Sequence, residues 1–149
     1  DAWFNIDVKS ADAVGPTVDA IRSAGATSRV LVTSFSEKRR LATVRELPGV
    51  ASSASARTFA VALIAGKLGL SPAVRFILRG VDAVQIPQRA AGMATITPRQ
   101  LRMLHGAGVE VHVWTVNDAA TMERLLNLGV DGLVTDRSDL AMELVERRR

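Results

Sequence analysis

The chain has 149 residues with no cysteine, and 48% of them are hydrophobic, enough apolar content for one core in one domain spanning residues 1–149. This composition argues against disorder, and the lack of cysteine excludes a disulfide framework, a thiolate metal site and a cysteine nucleophile and fits a reducing compartment such as the cytoplasm. Nineteen Lys and Arg outweigh fifteen Asp and Glu, for a formal net charge of +4.

Residues 3–9 alternate, with Phe4, Ile6 and Val8 on one face and Asn5, Asp7 and Lys9 on the other, which predicts a strand with one polar face. Ser10 is positioned to cap a helix that carries Val14, Val18 and Ile21 and stops at Gly25. Residues 29–35 read as the next strand, and Ser36 caps a helix with Leu41, Val44 and Leu47 ahead of Pro48 and Gly49. Residues 49–56 are Ser/Ala-rich and make a poor strand. The apolar stretch over residues 59–70 is too short to span a bilayer and reads as a buried or partly interfacial helix. A short helix starts at Ser71-Pro72, and residues 81–87 form a strand. Thr97-Pro98 has the form of an N-cap followed by Pro at the first helical position, opening a helix that ends near Gly106 or Gly108. Residues 110–116 are a strand, Asn117 or Asp118 caps a helix through Leu128, Gly129 stops it, and residues 130–136 are the last strand. Ser138 is then expected to cap a C-terminal helix.

Strands alternating with helices in this way predict a parallel sheet with right-handed crossovers. An open doubly wound sheet buries both strand faces and favours continuous apolar strands. Here Asn5/Asp7/Lys9 and His112/Trp114 give two strands a polar or mixed face, which suits the lumen of a (β/α)8 barrel. Six strand candidates, one of them poor, fall short of the eight and the roughly 250 residues of a complete barrel.

Lysine occurs only at Lys9, Lys38 and Lys67, so the positive charge is mostly arginine. Its helix positions, Arg39 and Arg40 among them, carry no interleaved aromatics, which predicts a solvated surface and no nucleic-acid partner. Asp7 and Lys9 share a strand face, either as an ion pair filling a lumen or as a carboxylate ligand for Mg2+ or Ca2+ beside an ammonium that steadies a phosphate. Trp114 shares a strand face with His112 and reads as core rather than as a ligand platform, while Phe35 and Gln85, at or near their strand ends, sit at the rim and as isolated residues say little. His105 and His112 sit on different elements, with no spacing suited to zinc. His105 reads as a partner of a helix C-terminus, and His112 as a packed side chain. There is no glycine-rich nucleotide loop and no serine nucleophile elbow.

Three segments together resemble the glycerophosphodiester phosphodiesterase family of phospholipase-C-like barrels. Asn5-Ile6-Asp7-Val8-Lys9 is similar to that family's Asn-Ile-Glu-Ile-Lys strand, with Asp in place of the commoner Glu. Val32-Thr33-Ser34-Phe35 is similar to its Ser-Phe segment. Val113-Trp114-Thr115-Val116-Asn117, followed by Gly129-Val130-Asp131-Gly132-Leu133-Val134-Thr135-Asp136, is similar to its C-terminal signature. The resemblance implies a TIM barrel and a divalent cation, Mg2+ or Ca2+. It also implies hydrolysis of a small-molecule glycerophosphodiester to glycerol 3-phosphate and an alcohol.

The same resemblance makes Asp7 a metal ligand and Lys9, Phe35, Gln85 and Trp114 substrate-binding residues. The family's catalytic His pair and its Glu-x-Asp ligands precede the Asn-Ile-Glu-Ile-Lys strand. No catalytic residue is therefore expected in this chain, whose N-terminal barrel strands are absent. The expected architecture is a partial barrel, inactive alone, whose open strand edges require the N-terminal half or a homo-oligomer to cover them. A non-enzymatic half-barrel binding or assembly module is the alternative. A membrane contact through the basic surface and the apolar helix is a further expectation.

Overall fold

The computed structural model describes residues 2–90 and 93–148. Strand β1 (Phe4–Asp7) leads into helix α1 (Val14–Ser23), and β2 (Val30–Thr33) into α2 (Glu37–Glu46). Strand β3 (Ala51–Ser52) is followed by two helices, α3 (Ala56–Lys67) and α4 (Ser71–Ile77). Strand β4 (Ala83–Pro87) is followed by a small antiparallel hairpin of β5 (Arg89–Ala90) and β6 (Met93–Ala94). Helix α5 (Pro98–Gly106), β7 (Glu110–Trp114), α6 (Ala119–Leu128), β8 (Gly132–Leu133) and α7 (Ser138–Glu146) complete the chain.

The hairpin aside, every strand pairing is parallel. The order β1-β2-β3 forms one sheet and β4-β7-β8 another, and a parallel bridge between Ser53 and Ala83 joins β3 to β4. The result is one arc of six parallel strands laid side by side in chain order, as expected of a partial (β/α)8 barrel. Among the described residues no pairing joins β1 to β8, so the arc is open at those two edges.

The period-2 alternation decides which side of the arc each residue meets. Val32, Val84, Ile86, Val111 and Val113 turn outward beneath the helices and are completely buried. Each contributes about 1.5–3 kcal/mol of burial. Val8, Val18, Ile21 and Leu47 form a smaller core under α1 and α2, and a larger one unites α3 to α7 with β4 and β7. The residues one step out of phase, Asp7, Thr33, Ser53, Gln85, His112 and Trp114, face the concave side.

Several local expectations hold. Ser36 accepts a hydrogen bond from Arg39 N–H, Thr97 from Gln100 N–H and Asp118 from Thr121 N–H. Gly129 ends α6 at φ +94°, a left-handed backbone that a side chain rarely adopts. Others are corrected. Ser10 does not cap α1: its Oγ accepts from Ala13 N–H and closes a turn, and the helix begins at Val14 without a side-chain cap. Ser138 is the first residue of α7, not its cap, because Thr135 Oγ1 takes the Arg137 N–H and turns the chain first. The last strand is two residues long, since beyond Leu133 and Val134 side-chain bonds replace the ladder.

Arg40 departs furthest from the expected solvated surface. It is buried, with Nη1 donating to Ser52 Oγ at 3.0 Å and Nε to Glu37 Oε2 at 3.1 Å. The neighbouring Arg39 donates from Nε to Val8 O and to Ser34 Oγ, each at 3.2 Å. Two adjacent arginines of α2 thus tie the helix to the ends of three strands.

Candidate active site

The carboxyl ends of the six strands surround a cleft of about 580 Å3. Successive parallel strands in register bring their last inward residues to one level. Asp7 pairs with Thr33, and Pro87 with Trp114. Asp7, Lys9, Phe35, Gln85 and Trp114, all singled out from the sequence, line this one cleft.

Asp7 Oδ2 lies 3.9 Å from Lys9 Nζ, a loose pair in which the lysine side chain is 83% exposed and the aspartate side chain 34%. At that distance and exposure the pair adds little stability, and both charges face the cleft. Phe35 and Trp114 meet edge to face, with ring centroids 6.3 Å apart at 77°. They make a firm apolar wall although Phe35 is 63% exposed.

Ser34 holds this rim in place. Its Oγ donates to Val8 O at 2.7 Å and accepts from Ser36 N–H and Arg39 Nε, fixing the turn that presents Phe35 against the strand end that presents Lys9. At the end of β4, Thr95 Oγ1 donates to Pro87 O, and Gln88 accepts from Arg124 at 2.9 Å, so the β5–β6 hairpin is anchored at the rim.

Two polar atoms in the cleft wall have no partner among the described residues. Gln85 Nε2 and Ser53 Oγ are both buried and unbonded. A buried donor left unpaired costs about 1–3 kcal/mol, so each is a position where a ligand atom or water would be stabilised. Ser53 escaped the sequence reading. Its only signal was a hydroxyl at the end of a strand too poor in apolar residues to read as one.

The two histidines lie away from the cleft. His105 Nε2 is 2.9 Å from Asp131 Oδ2, which also accepts from Val111 N–H. His112 Nε2 is 3.0 Å from Glu110 Oε2, lower on the concave face. Among the described residues no three His, Asp or Glu side chains converge as a metal site. Mg2+ and Ca2+ take six or more oxygen ligands. Asp7 is a fitting donor for one of these positions.

A parallel strand arc with a polar cleft at its carboxyl ends, lined by a carboxylate, an ammonium and an aromatic wall, defines a barrel-type α/β segment of the kind that houses enzyme active sites. Residues 3–140 match the family model of the glycerophosphoryl diester phosphodiesterase family, and the chain belongs to that family.

Over 149 residues, 99% of its length, the chain is 42% identical to a Mycobacterium tuberculosis protein named "Probable glycerophosphodiester phosphodiesterase 2" and covers 56% of that protein. A Silicibacter pomeroyi crystal structure under the same family name superposes with a TM-score of 0.72 at 20% identity, covering 98% of this chain and 50% of that one. An Oleispira antarctica phosphodiesterase in complex with the product sn-glycerol-3-phosphate gives 0.70 at 16% identity, covering 97% and 55%. The structural likenesses establish the fold. The chain spans about half the length of these relatives.

Proposed function

We propose that this chain forms one wall of a glycerophosphodiester phosphodiesterase site, which hydrolyses a glycerophosphodiester to glycerol 3-phosphate and an alcohol together with barrel strands outside these 149 residues. The observation that carries the reading is the convergence of Asp7, Lys9, Phe35, Gln85 and Trp114 on one cleft, in a chain 42% identical to a protein of that name. The product held by the Oleispira antarctica phosphodiesterase supports the substrate class.

In this reading the Lys9 ammonium, held at the rim and largely exposed, counters charge on the phosphoryl oxygens. The unpartnered Gln85 Nε2 donates to a substrate oxygen, and Phe35 and Trp114 pack against the less polar end of the substrate. Among the described residues, Asp7 is the ligand contributed to a Mg2+ or Ca2+ ion. Proton transfer requires groups from elsewhere, because neither histidine of this chain lines the cleft. The same strands, or a second copy, cover the open edges of β1 and β8.

The test is choline release from glycerophosphocholine with Mg2+ or Ca2+. The chain alone is expected to match buffer. Co-expressed with the part of the Mycobacterium tuberculosis relative that it does not match, it is expected to turn over, and Asp7→Ala should lower that rate by about 100-fold or more. Turnover by the chain alone, abolished by Asp7→Ala, would overturn the division of the site. A joined barrel whose turnover is indifferent to Asp7→Ala removes Asp7 from the site, and a folded joined barrel with no turnover favours a binding module.

A further inference from the structure

Helix α3 has a face that neither the core nor the cleft uses. Ala62, Ala65 and Gly66 pack inward, while Phe59 and Leu63 line the cleft. Arg57, Val61, Ile64 and Leu68 stand at i, i+4, i+7 and i+11, a single stripe on the helix surface. Along that stripe Val61 is 47% exposed, Ile64 61% and Leu68 69%. Just beyond it, Leu70 and Phe76 are exposed as well. A face meant for water would carry charges at these positions.

The charge of the same segment is one-sided. Residues 47–81 contain Arg57, Lys67, Arg75 and Arg79 but no Asp or Glu. An apolar helix stripe with cations and no acid matches what an interfacial helix presents to a negatively charged bilayer. Among the described residues no helix is long and apolar enough to cross a membrane, and twelve residues of α3 suit lying on a surface.

The stripe lies away from the open edges of the arc. The open edges are β1 and β8, whereas α3 and α4 follow β3 in the middle of the arc. Since Phe59 and Leu63 of the same helix line the cleft, the stripe lies next to the cleft mouth.

We propose that the α3–α4 segment is a docking surface for an anionic lipid bilayer, with Ile64 and Leu68 entering the acyl boundary and the segment's cations meeting headgroup phosphates. The inference does not rest on the reaction assigned to the cleft, because binding is read without turnover.

The experiment is co-sedimentation of the chain with phosphatidylglycerol/phosphatidylcholine vesicles and with pure phosphatidylcholine vesicles, at low and high salt. Binding is expected to the anionic vesicles, weakening as salt rises. The double substitution Ile64→Ser with Leu68→Ser should lower the partition coefficient by about tenfold or more. Met142→Ser, at an exposed apolar position of α7 outside the stripe, should leave binding unchanged, as should Asp7→Ala. Circular dichroism confirms that each variant folds like the parent. Absence of binding, equal binding by parent and double variant, or salt-independent binding to both vesicle types overturns the proposal. So does a dimer in size exclusion that the double substitution dissolves, which would assign the stripe to a second copy.

Discussion

Asn117 and Asp136 grip each other by two hydrogen bonds. Asn117 Nδ2 donates to Asp136 Oδ2 at 3.0 Å, and Asn117 Oδ1 accepts from Asp136 N–H at 2.9 Å. Thr135 Oγ1 donates to the same Oδ1 at 3.1 Å. Only two residue pairs make up the β7–β8 ladder, so this side-chain clasp extends the pairing where the backbone ladder ends. The Trp-Thr-Val-Asn and Thr-Asp segments are thus structural as well as diagnostic. Asn117→Ala should cost about 1–2 kcal/mol, and Asn117→Asp more at neutral pH, because it faces the Asp136 carboxylate and loses the donor. Urea midpoints at neutral and acidic pH check this. The Asn117→Asp deficit should shrink in acid, and a pH-independent deficit would contradict the clasp.

Gly132 is required by a ring rather than by its backbone angles. A Cβ there would lie 2.7 Å from His112 Cδ2 and 3.0 Å from Cγ, and the two residues are direct partners in the β7–β8 register. A rigid imidazole cannot yield as a flexible side chain would. Gly132→Ala is expected to destabilise by about 1–3 kcal/mol, and His112→Ser in the same chain should recover most of that loss. A double-mutant cycle with no coupling between the two positions would refute the contact.

Stability should depend on Glu37 in acid. The Arg40 side-chain hydrogen bond pulls its carboxyl from about 4.5 down to about 2, against an opposing burial effect, with further help from Ser55, the Arg40 charge and Thr58. A carboxyl depressed by folding stabilises the fold above its unfolded value, and that contribution drains away as pH falls from about 4.5 toward about 2. Removing the carboxylate also leaves Arg40 buried without its charged partner. Glu37 is only partly covered, so Glu37→Gln should cost of the order of 2 kcal/mol at pH 7, less than for a fully buried pair. Melting temperatures of parent and variant should converge by about pH 2. A gap that persists there would rule out this linkage.

Trp114 offers an optical probe of the cleft. The chain has two tryptophans, and Trp3 is 77% exposed at the opposite end of the arc. With Trp3→Phe, emission comes from Trp114 alone, packed on Phe35 at the cleft wall. In the joined barrel, sn-glycerol 3-phosphate is expected to change that emission saturably, and Lys9→Met should weaken the apparent affinity by about tenfold. An emission unmoved by product would remove Trp114 from the ligand's surroundings.

Much of the cleft was legible from the chain because strand alternation is a local property. Asp7 and Lys9 two residues apart must share a face, whereas Trp114, which reads as core on its strand, was placed at the cleft only by the family resemblance. Ser53 was not legible, since β3 has too few apolar residues to announce itself and gains its place from its neighbours β2 and β4. Arg40 was misread for a related reason. Its helix position predicts solvent, and only the approach of Glu37 and Ser52 makes its burial tolerable.

By itself the sequence determined the alternation of strands and helices, the caps at Ser36 and Thr97, the stop at Gly129 and the polar strand tips. Each of these depends on residues within one turn or one pleat of each other. Tertiary structure alone decided the clasp of Asn117 on Asp136, the seat of His112 on Gly132, the burial of Arg40 and the unpartnered Ser53 hydroxyl. Apart from the Arg40–Glu37 pair within one helix turn, those contacts join positions about 10 to 20 residues apart, or leave a group without a partner. They exist only once parallel register has brought separate strands to a common level, which no local pattern encodes.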